Sequence, residues 1–301
     1  MSTHSPLTPQ RLGPRRRSVG AWFADTGWRH LVAIVVSVFA LFPLLYVFSA
    51  SLNPKGTLTG SNQLFSAIGI DSYVRILNDP QAPYGQWFLN TLVIAVVTGA
   101  STVFIGALAA YAFSRMRFTG RRVGLITIVV VQMFPQLLAV VAIFLLMSTL
   151  GDWFPAIGLN THTGLILVYL GGALGVNTYL MYGFFNTLPI ELDEAARIDG
   201  AGHARIFFTM ILPLVAPILA VVALLSFIGT VNEYVIASVI LVDVDTQTLV
   251  VGLTKLVSNP RYADWSAFSA GAVMAAVPVM ILFLFLQKYI VGGLTAGSVK
   301  G

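Results

Sequence analysis

Residues 188–213 read Leu188-Pro-Ile-Glu-Leu-Asp-Glu-Ala-Ala-Arg-Ile-Asp-Gly200, followed by Ala201-Gly-His-Ala-Arg-Ile-Phe-Phe-Thr-Met-Ile-Leu-Pro213. This polar stretch stands between long apolar runs and carries the signals that begin and end helices. Pro189 and the acidic residues after it favour a helix N-terminus, where the helix dipole attracts negative charge. Gly200 can end that helix in a left-handed conformation, and a second helical piece, 203–211, follows. The stretch therefore predicts a helix, a glycine turn and a second helix.

An arginine near the end of the first of these helices is spaced to meet acidic residues. Arg197 follows Glu194 by three positions and Asp193 by four, and such spacings bring side chains together on one helix face. We expect ion pairs at these spacings, each contributing about 0.2–0.5 kcal/mol.

The composition indicates a protein whose main solvent is the lipid bilayer. Of 301 residues, 57% are apolar and only 10% are charged, whereas a soluble domain carries about 25% charged residues. Six apolar runs each provide the roughly 20 residues needed to cross about 30 Å of hydrocarbon. The sequence therefore predicts an all-α membrane protein with six transmembrane helices, at about residues 31–52, 88–113, 123–150, 163–184, 212–241 and 267–290.

Lysine and arginine are distributed unequally between the two sides of this topology. Six spans place both termini on one side, together with the loop 185–211. That side holds 13 of the 17 Lys and Arg residues and the other side holds 4, and cytoplasmic loops carry such an excess. Both termini and the 185–211 loop are therefore predicted to be cytoplasmic, with 1–29 as an N-terminal arm and 30–301 as the transmembrane domain.

Signatures of common enzyme classes are missing from the chain. It has no G-x-x-x-x-G-K-[S/T] motif for ATP phosphates and no H-E-x-x-H zinc motif. Gly99-Ala-Ser101 matches part of a serine protease motif, but no histidine lies mid-span to act as its base. The absence of cysteine excludes disulfides and thiolate metal sites. We predict a non-catalytic protein that holds no cofactor or metal itself.

Polar and flexible residues within apolar runs point to solute pathways in membrane proteins. Gln132 and Gln136 flank Pro135 in the third run. They fit a bent, hydrated segment that lines a solute path, and they equally fit glutamines that bond a neighbouring helix across a proline kink. The segment Gly171-Gly-Ala-Leu-Gly175 in the fourth run fits either a hinge or close helix packing.

Glu233 is the one acidic residue in the apolar runs. Counted along an unbroken helix from Pro213, it lies about 30 Å away. This distance predicts an interfacial carboxylate near the outer surface rather than a proton relay.

The stretch 188–213 resembles the EAA motif of binding-protein-dependent ABC importer permeases. The family pattern is EAA, three residues, G, nine residues, I, one residue, LP. Here Glu194-Ala-Ala196, Gly200 and Leu212-Pro213 stand at those positions, and Met210 replaces the usual isoleucine.

The resemblance extends from residue 88 onward and narrows to the shorter permease subunit of maltose/maltodextrin importers, but it does not cover 1–29 or 53–87. It is carried by Arg115-Met-Arg-Phe118, Gln132-Met-Phe-Pro135, Gly158-Leu-Asn-Thr-His162, Tyr169-Leu-Gly-Gly172, Ser258-Asn-Pro-Arg-Tyr262 and the ending Gly293-Leu-Thr-Ala-Gly-Ser-Val-Lys-Gly301.

This resemblance implies roles for three sets of residues. The EAA helices of the family dock into clefts on two ATPase subunits, which implies ATPase-coupling residues at Glu194, Ala195, Ala196, Asp199, Gly200, Leu212 and Pro213. An ATPase-interface tail is implied at Leu294, Thr295, Ala296, Gly297 and Lys300. A loop that contacts the binding protein is implied at Ser258, Asn259, Pro260 and Tyr262. Most sugar contacts in the membrane belong to the larger permease in this family.

The resemblance also implies a type I ABC importer permease fold and a role in importing maltose/maltodextrin-type oligosaccharides. The partners would be a second, larger permease, an ATPase homodimer that holds ATP and magnesium, and an extracytoplasmic sugar-binding protein, in a bacterial cytoplasmic membrane and without nucleic acid. A permease for trehalose or another glycoside stays open. A secondary carrier is disfavoured, because the chain lacks charged residues at mid-depth and twice-repeated broken helices.

Overall fold

The computed structural model describes residues 23–55 and 63–296, and every regular element in those two ranges is helical. A π-helical turn covers Phe23–Gly27. The helices are α1 (Trp28–Ser51), α2 (Asp71–Asn78), α3 (Tyr84–Arg115), α4 (Arg121–Gln132), α5 (Val140–Trp153), α6 (His162–Phe185), α7 (Glu191–Ile198), α8 (His203–Leu214), α9 (Ala216–Asn232), α10 (Val235–Ile240), α11 (Leu249–Ser258) and α12 (Trp265–Ala296).

The chain forms two compact units, Met1–Phe48 and Ser49–Gly301. The described part of the first unit is the π-helical turn and most of α1, an apolar helix with Pro43 in its interior. All other helices belong to the second unit.

Three helices are long and apolar enough to cross a membrane, namely α1, α3 and α12. Three further segments pass the same test when two bent halves are counted together. These are α4 with Leu137–Trp153, bent by 81°, the two halves of α6, bent by 50°, and α8 with α9, bent by 78°. The predicted number of six spans is reached if each bent pair crosses as one.

Two of the three bends occur where proline interrupts helical hydrogen bonding. Pro135 has no backbone N–H and separates α4 from a 3-10 turn at Gln136–Ala139. Pro213 and Pro217 flank Val215, where α8 gives way to α9. The two prolines disturb the start of the fifth apolar run, where the helix begins at His203 and is broken again after Asn232.

Helix α3 is the central helix of the second unit. It packs along α6 and along α9, and α9 also packs against α12. Three hydrophobic clusters follow α3 from its first turn, at Trp87, through Ile94 to Ala107 near its end. The first cluster includes residues of α11 and α12, and the last includes residues of α7 and α8. α3 therefore joins the 249–267 region to the 185–211 loop across about 48 Å of helix.

Candidate functional site

The first candidate site is the 185–211 loop, whose two helices lie at the end of α3. The chain leaves α6 through a tight turn in which the Leu188 N–H donates to the Phe185 carbonyl at 3.3 Å. Helix α7 then begins after Pro189 with Glu191, Asp193 and Glu194 in its first turn. The N-terminal signals read from the sequence are therefore at the start of a helix.

Gly200 ends α7 in the left-handed conformation, with φ of +79°. The Gly200 N–H donates to the Arg197 carbonyl at 3.0 Å, and the Ala201 N–H donates to the Ala196 carbonyl at 2.9 Å. These two bonds form a Schellman motif, which satisfies carbonyls that a helix end leaves without partners. The predicted glycine turn is confirmed, and it aims the chain from α7 into α8.

The two helices of the loop each bury one face. Ala196 of α7 and Ile206, Phe207 and Ile211 of α8 pack in one cluster with Tyr111 of α3. The Tyr111 and Phe207 ring centroids are 5.2 Å apart. Burial of apolar side chains on both helices stabilises their position against the bundle.

The opposite face of α7 is exposed. Glu194 and Ala195 are exposed, and the side chain of Ile198 is 87% exposed. Asp199 and Gly200 at the helix end are also exposed. Of the predicted coupling residues, this face brings together Glu194, Ala195, Asp199 and Gly200, whereas Ala196 is buried beneath them. Leu212 and Pro213 lie further along, in the last turn of α8.

Asp193 forms an ion pair that the sequence analysis missed. Its Oδ2 lies 3.0 Å from Nε of Arg115, and both side chains are 3% exposed. A guanidinium nitrogen of Arg115 also donates to the Leu188 carbonyl at 3.0 Å. The Nε–H geometry falls short of a hydrogen bond to the carboxylate, so the pairing rests on charge.

The pairs expected between Arg197 and the two acidic residues are not formed. Among the described residues, the ion pairs within 4.0 Å are Arg115–Asp193 and Arg75–Asp264. Asp193 points into the bundle, toward Arg115, while Arg197 is exposed. Spacing along one helix could not reveal this, because the partner comes from α3.

A cleft of about 750 Å³ lies beside the exposed face of α7. Four of its eleven lining residues are arginines, and the lining consists of Ser114, Arg115, Met116, Arg117, Arg121, Asn186, Ile190, Asp193, Glu194, Arg197 and His203.

The predicted binding-protein loop lies at the other end of α3. Ser258 ends α11, and Asn259, Pro260 and Tyr262 follow in an exposed turn, with Tyr262 77% exposed. The Asn259 carbonyl accepts a bond from the Tyr262 N–H at 3.1 Å. The turn and the 185–211 loop are therefore on opposite ends of the bundle.

The predicted tail lies only partly in the described structure. Leu294, Thr295 and Ala296 form the last residues of α12. Gly297 and Lys300 lie outside the described residues. A role of the tail at an ATPase stays a prediction.

Gln132 bonds a neighbouring helix. Its Nε2 donates to the Gly172 carbonyl of α6 at 3.0 Å. A Cβ built at Gly175 would collide with the Gln132 side chain, which would have to shift away from Gly172 to make room. Of the two alternatives given by the sequence, Gln132 therefore forms the hydrogen bond to a neighbouring helix. The side chain of Gln136 lies outside the described part of the chain, and a pathway role for either glutamine stays a prediction.

Glu233 caps a helix at the break between α9 and α10. Its carboxylate accepts bonds from the N–H groups of Ile236 and Ala237, at 2.8 and 2.9 Å, and from the hydroxyl of Tyr169 at 2.7 Å. Tyr169 lies about 10 Å along α6 from its start. Helix α9 is unbroken from Ala216 to Asn232, so about 26 Å of helix still precedes Glu233. Its position near the outer surface stays a prediction.

A second candidate site is a cleft beside Glu233, of about 180 Å³, which we name the Thr98 cleft. It lies between α3, α6 and α9 and is lined by Thr98, Tyr169, Asn177, Leu225, Ser226, Gly229, Thr230, Glu233 and Ile236. The sequence did not predict this cleft. The available signal was the set of polar residues within three apolar runs, but their convergence depends on how the helices pack.

Comparison with known proteins assigns the chain to a family. The model for "Binding-protein-dependent transport system inner membrane component" matches residues 102–295. The chain belongs to this family. The matched range contains α7, the Gly200 turn and most of the bundle, and the permease is accordingly a multi-pass membrane protein of the ABC importer class.

Curated relatives match the permease almost end to end. It is 40% identical over 273 residues to the galactooligosaccharides transport system permease protein GanQ of Bacillus subtilis (strain 168), covering 90% of this chain and 94% of GanQ. It is 39% identical over 272 residues to the maltodextrin transport system permease protein MdxG of the same organism, covering 90% and 95%. The maltose/maltodextrin transport system permease protein MalG of Escherichia coli (strain K12) is 39% identical over 282 residues, covering 90% and 95%. The resemblance drawn from the EAA motif and its flanking segments is confirmed.

Solved structures share the fold. A chain of a bacterial ABC transporter involved in the import of the acidic polysaccharide alginate matches with a TM-score of 0.72 at 26% identity, over 95% of this chain and 99% of that chain. A chain of a bacterial alginate ABC transporter in complex with an alginate pentasaccharide-bound periplasmic protein matches with a TM-score of 0.59 at 16% identity. The helical bundle is thus the fold of an ABC importer permease.

Proposed function

We propose that this chain is the smaller of two permease subunits in an ATP-driven importer of maltodextrin-type oligosaccharides. The observation that carries the proposal is its identity of 39–40%, over 90% of its length, to permeases named for galactooligosaccharides, maltodextrin and maltose/maltodextrin. Because the match covers nearly the whole of those relatives, it supports a like role for the whole chain.

The proposed topology has six spans in a bacterial cytoplasmic membrane, with each bent pair crossing once. Thirteen Lys and Arg residues lie on the side of the termini and four on the other, which supports a cytoplasmic position for both termini and the 185–211 loop. The turn 258–262 then faces outward.

In this proposal the exposed face of α7 couples the permease to a cytoplasmic ATPase homodimer. Glu194 and Ala195 present a small, acidic surface, and Ile198 adds an apolar side chain that is 87% exposed. Ala196 beneath them packs into the bundle, and Asp193 is paired with Arg115. A rigid attachment of this kind transmits a push on α7 to α3, and the Gly200 turn transmits it to α8. ATP and magnesium would bind to the ATPase subunits, with this chain non-catalytic.

The proposed contacts with the binding protein and of the C-terminal tail follow from the ends of the bundle at which these segments lie. Ser258, Asn259, Pro260 and Tyr262 form an exposed turn that a sugar-binding protein could engage from outside. The tail that begins at Leu294 continues α12 at the inner end, where it would meet the ATPase. A second, larger permease would complete the pathway, and alternating access would follow from closure of the ATPase pair.

A different glycoside is a second candidate substrate. GanQ and MdxG are almost equally identical to this chain, at 40% and 39%, but GanQ is named for galactooligosaccharides and MdxG for maltodextrin. Trehalose is a further candidate within the same function.

The test is to express the chain with its cognate partners, purify the complex and reconstitute it in liposomes. We expect an ATPase to co-purify in fixed ratio, and uptake of labelled maltodextrins to require ATP and the binding protein. A panel with galactooligosaccharides and trehalose identifies the sugar. Uptake by the chain alone, driven by an ion gradient without ATP, would reject the proposal in favour of a secondary carrier.

A further inference from the structure

We propose that the Thr98 cleft is a subsite for sugar hydroxyl groups, through which this chain itself contacts the transported oligosaccharide. The inference rests on the proposed function, since it names a place in this subunit where the substrate of that function binds. It concerns the cleft between α3, α6 and α9, distinct from the 185–211 loop and the turn 258–262.

Three polar groups of the cleft have no partner within the described residues. Thr98 is 1% exposed and Ser226 is 7% exposed. The hydroxyl oxygens of both residues are buried, and neither makes a hydrogen bond. The amide of Asn177, in a residue that is 8% exposed, makes none with the described chain either. Together these groups offer two hydroxyl donors, two amide donors and several acceptor positions.

The other polar groups that line the cleft are occupied. The Thr230 hydroxyl donates to the Ser226 carbonyl at 2.9 Å. The Tyr169 hydroxyl donates to Glu233, whose carboxylate also accepts two backbone N–H groups. These bonds hold Tyr169, Thr230 and Glu233 in place. The groups that remain for an occupant are therefore the unpaired ones on Thr98, Asn177 and Ser226.

An occupant that both donates and accepts hydrogen bonds would pair the groups of the cleft that lack partners. Lipid chains cannot satisfy polar groups within the bilayer, and leaving such groups unpaired is unfavourable. The volume of about 180 Å³ exceeds the share of a single water molecule, about 30 Å³ in the liquid. The cleft therefore has room for a group of hydroxyls or for several waters.

The lining favours a neutral, hydroxyl-rich solute. No cationic side chain is among the residues that line the cleft, and the carboxylate of Glu233 is already bonded three times. Leu225 and Ile236 supply apolar surface beside the hydroxyls, which suits the C–H groups of a sugar ring. Leu225 is 51% exposed, so the cleft reaches the surface of the chain.

The experiment compares two hydroxyl deletions in the complete transporter reconstituted with its binding protein. Thr98→Val combined with Ser226→Ala removes the unpaired hydroxyls of the cleft with almost no change in volume. Thr102→Val is the matched control, because its Oγ1 is also buried without a partner and lies one turn away on α3, but it does not line the cleft. The measurements are labelled maltodextrin uptake and ATP hydrolysis in the same vesicles, at equal amounts of inserted protein.

We expect the double variant to lower the amount of sugar moved per ATP hydrolysed at least threefold, while Thr102→Val keeps the unsubstituted ratio. An unchanged ratio in the double variant would mean that the cleft holds water only and would overturn the subsite. An equal fall in Thr102→Val would assign the effect to helix packing and overturn it as well. If the unsubstituted complex moves no oligosaccharide, the proposed function fails, and the subsite fails with it.

Discussion

The Nε of Arg115 lies 3.0 Å from Oδ2 of Asp193, and both side chains are almost fully buried. The contact links the last residue of α3, the central helix, to the first turn of α7. A guanidinium nitrogen of the same arginine holds the Leu188 carbonyl just before α7. The exposed helix of the loop is thus tied to the bundle by charge as well as by apolar packing.

Breaking this pair from either side should destabilise the chain. Removing one partner leaves an uncompensated buried charge, which costs about 3–5 kcal/mol. We expect Arg115→Met and Asp193→Leu each to lower the unfolding midpoint clearly, and the double variant to recover much of the loss. Thermal unfolding of the purified transporter in detergent measures all three.

Arg75→Met is the control for that series. It breaks the Arg75–Asp264 pair, in which the side chains are 45% and 27% exposed, and exposed pairs contribute less than about 1 kcal/mol. Strictly additive losses in the Arg115/Asp193 double variant would contradict a coupled pair.

Gly200 should tolerate substitution poorly for a reason confined to its backbone. A Cβ there meets no atom within 4 Å, but φ is +79°, and the left-handed conformation costs a residue with a Cβ about 1–2 kcal/mol. We expect Gly200→Ala to weaken, and Gly200→Pro to abolish, ATP hydrolysis stimulated by the sugar-loaded binding protein, with the protein still in the membrane. Gly202→Ala is the control, since Gly202 also has open space around it but an ordinary φ of −78°. Equal activity of Gly200→Pro and wild type would refute a coupling role for the turn.

Glu194 offers a test of the docking face that does not disturb folding. Its side chain is exposed, so Glu194→Ala should change the free energy of unfolding by no more than about 0.5 kcal/mol. We expect stimulated ATP hydrolysis to fall at least tenfold, a loss of about 1.4 kcal/mol in coupling. Glu191→Ala removes another exposed carboxylate, one turn earlier on α7, and should keep activity. The same loss in both variants would point to a general effect of charge.

Gly171 and Gly175 of α6 should differ in their tolerance of alanine, because the Gln132 side chain lies against Gly175. Gly175→Ala places a methyl group on the Gln132 amide, and such overpacking costs about 1–3 kcal/mol. Gly171→Ala, one turn earlier, meets nothing within 4 Å and should be neutral. Thermal unfolding of the two variants decides the matter, and equal midpoints would contradict the close approach.

Gln132→Leu separates the structural role of this glutamine from a pathway role. An interhelical hydrogen bond in a membrane contributes only about 0.6 kcal/mol on average, so the unfolding midpoint should hardly change. If transport nevertheless falls severalfold at equal protein level, the glutamine lines the solute path. Unchanged transport in Gln132→Leu would show that the role of Gln132 is structural, through its bond to the Gly172 carbonyl.

Local features of the chain were readable from sequence because their causes are local. The length of each apolar run, the prolines at 135, 213 and 217, and the need for a left-handed turn at Gly200 are properties of neighbouring residues. They were sufficient to predict helices, breaks and the helix–turn–helix of 185–211. The spacing within that stretch also carried the family resemblance.

The tertiary structure alone decided which distant residues meet. Asp193 was expected to pair along its own helix, but α3 brings Arg115 to it from the bundle side. Glu233 accepts a hydrogen bond from Tyr169 of α6, a contact that counting along α9 did not reveal. Thr98, Asn177 and Ser226 occupy three separate apolar runs and form one cleft only because α3, α6 and α9 pack together. Such contacts depend on the packing angle and rotation of each helix, which hydrophobic periodicity in an almost uniformly apolar chain does not specify.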